Sequence, residues 1–289
     1  MSDRIKEVTF SLKGKIVNMP FNKFEPEKMV TNPAIMMIAK RGSGKSWICM
    51  AIMSAIHDIP VGVVISPTER LDPFYTKYKF IPPSCIFDEF NDKIIENLRT
   101  RYELIEEKNK KRRLMGKKEI DNRSFIIMDD CLSSKGTWMK NPIIKDLLQN
   151  GRHYGITYIF TSQSPLGLTP ELRNNFDYVF LLADNFHNNI KKLYDHYAGM
   201  FPHFTLFKQA FSKLTENYSA LVITNRSKSQ KINEIICWYK APNYKNPNIR
   251  PNSVGSKQLW EYHENNYNKE WQKKQLNKKV KERPVNMFN

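Results

Sequence analysis

Short apolar runs recur along the chain at 34–39, 61–66, 125–129, 157–163 and 178–183, and each is apolar at both even and odd positions. A strand covered on one side alternates in polarity, whereas one covered on both does not. These runs are therefore predicted to be buried strands of a parallel sheet. Helical spacing appears between them. Residues 47–56 are apolar nearly all round, which predicts a buried helix after the first strand. Ile143, Ile144, Leu147 and Leu148 share one face at a 3.6-residue period, and Asn150-Gly151 supplies a stop. Strand and helix alternating in this way give an α/β fold, a mainly parallel central sheet flanked by helices with right-handed crossovers. Two later strand-like runs, 218–224 and 234–239, predict a C-terminal β extension on the sheet edge. The pattern leaves the N-terminal segment 1–33 unplaced, apart from a strand-like run at 8–12. One domain is expected over 1–250, followed by a basic tail at 251–289.

Charge changes this picture. The chain has 46 Lys+Arg against 29 Asp+Glu, a formal charge of +17, and such a field favours polyanions, nucleic acid first. Two stretches concentrate it: 108–118 holds seven Lys/Arg and no acid, and 269–283 holds seven Lys/Arg against two Glu. Neither shows an apolar stripe, which predicts exposed, mobile segments. The four cysteines are widely spaced and form no C-x-x-C pair, which argues against structural zinc and a disulfide framework and for a reducing compartment. No apolar run reaches the ~20 residues that a membrane-spanning helix needs, and the N-terminus lacks an apolar signal core.

The candidate chemistry begins where the first buried run ends. Ala39-Lys40-Arg41-Gly42-Ser43-Gly44-Lys45-Ser46-Trp47 joins that strand to the apolar helix. Gly42 and Gly44 let the backbone curl so that successive N–H groups point at phosphate oxygens, and the helix adds its positive end. Lys45 is placed for the β- and γ-phosphates of ATP, and the Ser46 hydroxyl for Mg²⁺. Ala39 stands where the usual G-x-x-x-x-G-K-[ST] pattern has its first Gly, a change tolerable unless that backbone needs a positive φ.

A second apolar strand ends in Asp129-Asp130. Adjacent carboxylates repel and call for a cation or solvent. Asp129 is placed to hold Mg²⁺, and Asp130 to orient or deprotonate the attacking water. A third strand ends in Thr161-Ser162-Gln163, where the Gln163 amide can bond that water or the γ-phosphate. Arg152, in Gly151-Arg152-His153-Tyr154-Gly155, can either reach the γ-phosphate of a neighbouring subunit or cap helix carbonyls.

In order, P-loop, long basic insertion, Asp-Asp strand, Gly-Arg-His-x-Gly, Thr-Ser-Gln strand and Arg173-Asn174-Asn175-Phe176-Asp177, this constellation resembles the genome-packaging ATPases of large eukaryotic double-stranded DNA viruses and virophages. These are poxvirus-type members of the FtsK/HerA superfamily. The resemblance covers roughly residues 20–240. It implies a RecA-like (ASCE) sheet with the catalytic strand inserted between the P-loop and acidic strands. It also implies a homo-oligomeric ring, pentamer or hexamer, with Arg152 as trans-acting finger, Gln163 as sensor and double-stranded DNA in the pore. The matching setting is the virion or a viral factory in the host cytoplasm. The segment 66–70 also looks viral, without an assigned role.

The basic stretches fit the same picture. Lys110, Lys111, Arg112 and Arg113 are candidates for phosphate contacts with DNA, with a solvated charged face as the alternative, and the tail for docking to DNA or an acidic capsid protein. Three readings stand: an ATP-driven translocase packaging DNA, an ATP-binding structural protein of the virion, and a P-loop nucleotide kinase.

Overall fold

The computed structural model describes residues 4–131, 141–166 and 168–266. The chain opens with a hairpin, β1 (Ile5–Leu12) and β2 (Lys15–Asn22), then enters β3 (Ala34–Ile38), α1 (Lys45–Ala55) and β4 (Gly62–Ile65). A two-residue strand, β5 (Ile86–Phe87), precedes the long helix α2 (Asp92–Leu114), followed by β6 (Ser124–Met128), α3 (Pro142–Asn150) and β7 (Ile156–Ser162). Next come α4 (Pro170–Arg173), β8 (Tyr178–Leu182), α5 (His187–Tyr197) and α6 (Phe204–Leu214). β9 (Ser219–Thr224), α7 (Ile232–Ile235), β10 (Ile236–Lys240) and α8 (Lys257–Asn266) complete the described part.

Eight strands form one sheet in the order β10-β9-β8-β3-β7-β6-β4-β5. From β8 to β5 all pairings are parallel, while β9 pairs antiparallel with both β8 and β10. The lack of alternation in the apolar runs has a direct cause: every residue of β3, β6, β7 and β8 is buried, because helices cover both faces. Ile35, Met37, Ile127, Ile159 and Phe180 face α1 and the segment carrying Tyr75, Phe80 and Ile81. Met36, Ile126, Met128, Phe160 and Leu181 face α2, α3, α5 and α6. α1 is apolar all round because the sheet lies on one side, with Tyr244 and Val254 among the residues packed over it.

The structure moves several boundaries. The run at 8–12 is the second half of an eight-residue strand in a separate two-stranded sheet, fastened to α6 where Gln209 bonds both Ser11 backbone groups. The run at 234–239 begins as a helical turn and becomes strand only at Ile236. Residues 108–114, expected to be mobile, are the last turns of α2. The buried Asn109 amide bonds both N–H and C=O of Ile120, and Arg101 reaches the carbonyls of Asp121, Asn122 and Arg123, so the returning chain is laced to the helix. The chain beyond 250 stays on the body through α8: Val254 is buried and donates its N–H to Phe80, and Ser256 donates to Pro60. The basic stretch 269–283 lies outside the described residues.

Candidate nucleotide-binding site

β3 delivers the chain to the carboxyl edge of the sheet, where residues 39–44 turn back into α1. Gly42 (φ +76°) and Gly44 (φ +97°) are both left-handed, a conformation other residues adopt only at a cost, and Gly44 is the N-cap residue of α1. Ala39 is not left-handed; it extends the ladder by donating its N–H to Ser162, which is why alanine is accommodated there. Ser43 Oγ donates to the Lys40 carbonyl at 2.6 Å, closing the turn, while Arg41 and Gly42 face solvent. Trp47 is engaged elsewhere: its ring stacks on Tyr244 and meets Phe74 and Tyr78 edge-on, fastening α1 rather than facing the loop.

β7 lies between β3 and β6, so Thr161 and Gln163 reach the acidic pair from the side. Lys45 is buried, with Nζ 3.2 Å from Asp130 Oδ1 and donating to the Ala39 carbonyl at 3.3 Å. Asp129 is also buried and accepts three hydroxyl bonds: Ser46 Oγ at 2.8 Å and Tyr75 OH at 2.9 Å on Oδ2, and Thr161 Oγ1 at 2.8 Å on Oδ1. Asp130 has a left-handed backbone (φ +52°), its N–H donates to Thr161 Oγ1, and Gln163 Nε2 donates to its Oδ2 at 3.1 Å. Residues from three other segments thus converge on two adjacent carboxylates.

Tyr75 and Thr161 are additions to the set expected from sequence. Burial, reinforced by the Asp129 charge, pushes the Tyr75 phenol well up, so it keeps its proton and remains a donor. Glu69 explains how Tyr75 is held: its buried carboxylate accepts the backbone N–H groups of Phe74, Tyr75 and Thr76 at 2.8–3.1 Å. The segment 66–70, left without a role above, is the anchor of that loop. Burial likewise raises the Cys49 and Cys131 thiols, so both stay neutral.

The residues present suit a magnesium–triphosphate. Lys45 and the inward-curling amides provide fixed cationic and N–H groups. Among the described residues, buried Asp130 Oδ1 has the Lys45 ammonium beside it and no further hydrogen-bond partner. One carboxylate plus one hydroxyl, Asp129 and Ser46, is the sparse protein set with which Mg²⁺ is held when phosphates supply further ligands.

Arg152 is not part of this cluster. It precedes β7 at the amino edge of the sheet, roughly 20 Å of strand away from the carboxyl-edge loop. There it pairs with the buried Asp177, whose other oxygen accepts the Ala34 N–H at 2.9 Å. Nor do the four residues expected to touch DNA form a free patch. Arg113 pairs with Glu106 and Glu119, Lys111 with Glu107, and Arg112 Nε donates to the Lys118 carbonyl, while Lys110 is exposed.

No protein-family model matches the chain. Protein L437 of Acanthamoeba polyphaga mimivirus is 45% identical over 258 residues, spanning 88% of this chain and 88% of its own. Protein 088R of Invertebrate iridescent virus 3 is 31% identical over 241 residues, 82% of this chain and 87% of its own. The chain belongs to this family of proteins from large double-stranded DNA viruses. Its fold is similar to that of the genome packaging NTPase B204 from Sulfolobus turreted icosahedral virus 2 in complex with AMP, with a TM-score of 0.50 and 16% identity over 74% of this chain and all of that one. The mainly parallel P-loop sheet expected from the sequence is borne out, as is the expected kinship with proteins of large double-stranded DNA viruses. Among the described residues no helix is long and apolar enough to cross a membrane.

Proposed function

We propose that this protein is an ATP-driven double-stranded DNA translocase that packages viral genomic DNA into a preformed capsid, working as a ring of identical chains. The observation that carries the reading is the convergence of Lys45, Ser46, Asp129, Asp130 and Gln163 at the carboxyl edge of the sheet, beside a loop shaped to bind phosphate. Bound ATP–Mg²⁺ would supply the scissile phosphoanhydride and the charge neutralisation that its cleavage needs. The chain's own residues do the rest. The N–H groups of 42–46 and the start of α1 bind the anion, and Lys45 adds a point charge. Lys45 and Gln163 hold the two oxygens of Asp130. Once the lysine turns to an anion, that carboxylate is open to accept a proton from water, with the Gln163 amide left to orient it. Asp129 and Thr161 keep the carboxylates in register.

The fold likeness to a packaging NTPase, relatives confined to large DNA viruses in the matches above, and a charge of +17 support DNA as the polymer moved. Phosphate hydrolysis measured with and without duplex DNA, across salt, tests the motor. Stimulation that fades as salt rises is expected; a flat response favours an ATP-binding structural protein. Asp130→Asn is expected to keep ATP binding and to lose on the order of 10²–10⁴-fold in rate. Loss of binding, or an unchanged rate, would remove Asp130 from the reaction.

A further inference from the structure

Tyr218 stands beside the loop, left largely uncovered by the described residues. The residue is 73% exposed, and its Cδ1 lies 3.9 Å from the position a Cβ on Gly44 would occupy. The sheet register explains the placement. β9 runs antiparallel to β8 with Ala220 opposite Leu182, so the turn entering β9 lies at the carboxyl edge, beside the loop that follows β3. Asn217 (φ +57°) and Tyr218 (φ +62°) are consecutive left-handed residues, a backbone that a bulky aromatic rarely adopts. The ring is therefore held out toward solvent over the loop instead of folding into the core, although Leu214 before it and Ala220 after it are fully buried.

The direction of a bound nucleotide follows from where the reactive groups lie. Asp130 and Gln163 approach the loop from β6 and β7, on one side of β3, so the terminal phosphate belongs on that side. β8 and β9 lie on the other side of β3, where the nucleoside end must leave the loop. Tyr218 stands at that exit. An exposed aromatic face beside a phosphate cradle suits a planar base, and stacking of this kind tolerates the base's edge chemistry.

We propose that Tyr218 is the base platform of the nucleotide site, stacking on the purine of a nucleoside triphosphate whose phosphates are held by residues 42–46. This rests on the nucleotide-binding reading of the loop, and the test separates the two. Wild type, Tyr218→Ala and Tyr218→Phe are titrated calorimetrically with ATP and with inorganic tripolyphosphate, which has no base, both in Mg²⁺. Tyr218→Ala is expected to weaken ATP about ten-fold and leave tripolyphosphate unchanged, and Tyr218→Phe to bind ATP as wild type does, within about two-fold. The side chain is exposed, so both variants should fold; removing a β-carbon from the left-handed backbone in Tyr218→Gly should leave the unfolding midpoint the same or higher. Unchanged ATP affinity in Tyr218→Ala overturns the platform. So does parallel weakening of both ligands, which would make the ring a support for the loop. Wild type that binds neither ligand overturns the nucleotide reading itself.

Discussion

Thr161 uses one hydroxyl twice, donating to Asp129 and accepting from the Asp130 N–H, and so fixes the angle between adjacent carboxylates. Thr161→Val keeps the shape but leaves a buried carboxylate one donor short and a backbone N–H without its acceptor. A loss of about 1–3 kcal/mol in denaturant unfolding is expected, together with a fall in phosphate release, and Thr161→Ser should restore most of both. A Thr161→Val protein of full stability and full rate would show that the bridge is incidental. Residues of this kind separate what the sequence reveals from what it hides. Lys45, Ser46 and the Asp-Asp pair could be read because each sits at a fixed spacing inside one strand-turn unit. Tyr75 and Thr161 reach Asp129 from 54 and 32 residues away, and no periodicity encodes that meeting. Glu69 was visible only as an acid in an unexplained stretch, since its partners are backbone N–H groups, which any sequence offers.

Among elements, those wrapped on both faces were legible and those half-wrapped were not. β3, β6, β7 and β8 announce themselves because full burial removes every polar residue but a few hydroxyls. The N-terminal hairpin exposes Ile5, Ile16 and Val17, so its apolar residues do not sort cleanly by side, and β5 is too short to carry a pattern. α2 misled for a different reason: its last turns are charged, so charge alone read as mobility. They are tied to the returning chain by the buried Asn109 amide, by Arg101 gripping backbone carbonyls, and by Arg112 and Arg113 on the exposed side. Asn109→Ala removes both bonds to Ile120 and leaves those backbone groups to find water. Limited trypsin digestion followed by mass spectrometry should then show faster cleavage at Lys110, Lys117 and Lys118 than in wild type, with ATP binding intact. Equal cleavage rates would mean that Arg101, Arg112 and Arg113 hold the return segment without the Asn109 amide. The comparison matters for the proposed DNA contact as well, because only an ordered arm would present Lys110 at a fixed place.

At the scale of the whole molecule, the amino edge of the sheet holds the one expected catalytic group that the fold keeps away from its own loop. Arg152 is separated from that loop by the length of β7 and pairs with Asp177, which also anchors the first residue of β3. It can therefore serve hydrolysis only in another copy, or not at all. A ring of identical chains uses a heterologous interface, setting one surface of a subunit against a different surface of the next, and the partly exposed Arg152 is available to such a contact. Mixing two inactive variants decides the matter. Lys45→Ala lacks the phosphate-binding amine but keeps Arg152, and Arg152→Ala keeps the amine. If the arginine acts in trans, an equal mixture contains about one interface in four with both groups intact, and hydrolysis should rise above the sum of the separate proteins, since such an arginine contributes ~10³-fold or more. Asp177→Asn provides the control, because it releases Arg152 while leaving the chain isosteric at the buried position. If the mixture stays at the sum, while Asp177→Asn loses stability and rate together with Arg152→Ala, the arginine belongs to the fold: it neutralises a buried carboxylate under the strand that carries the loop.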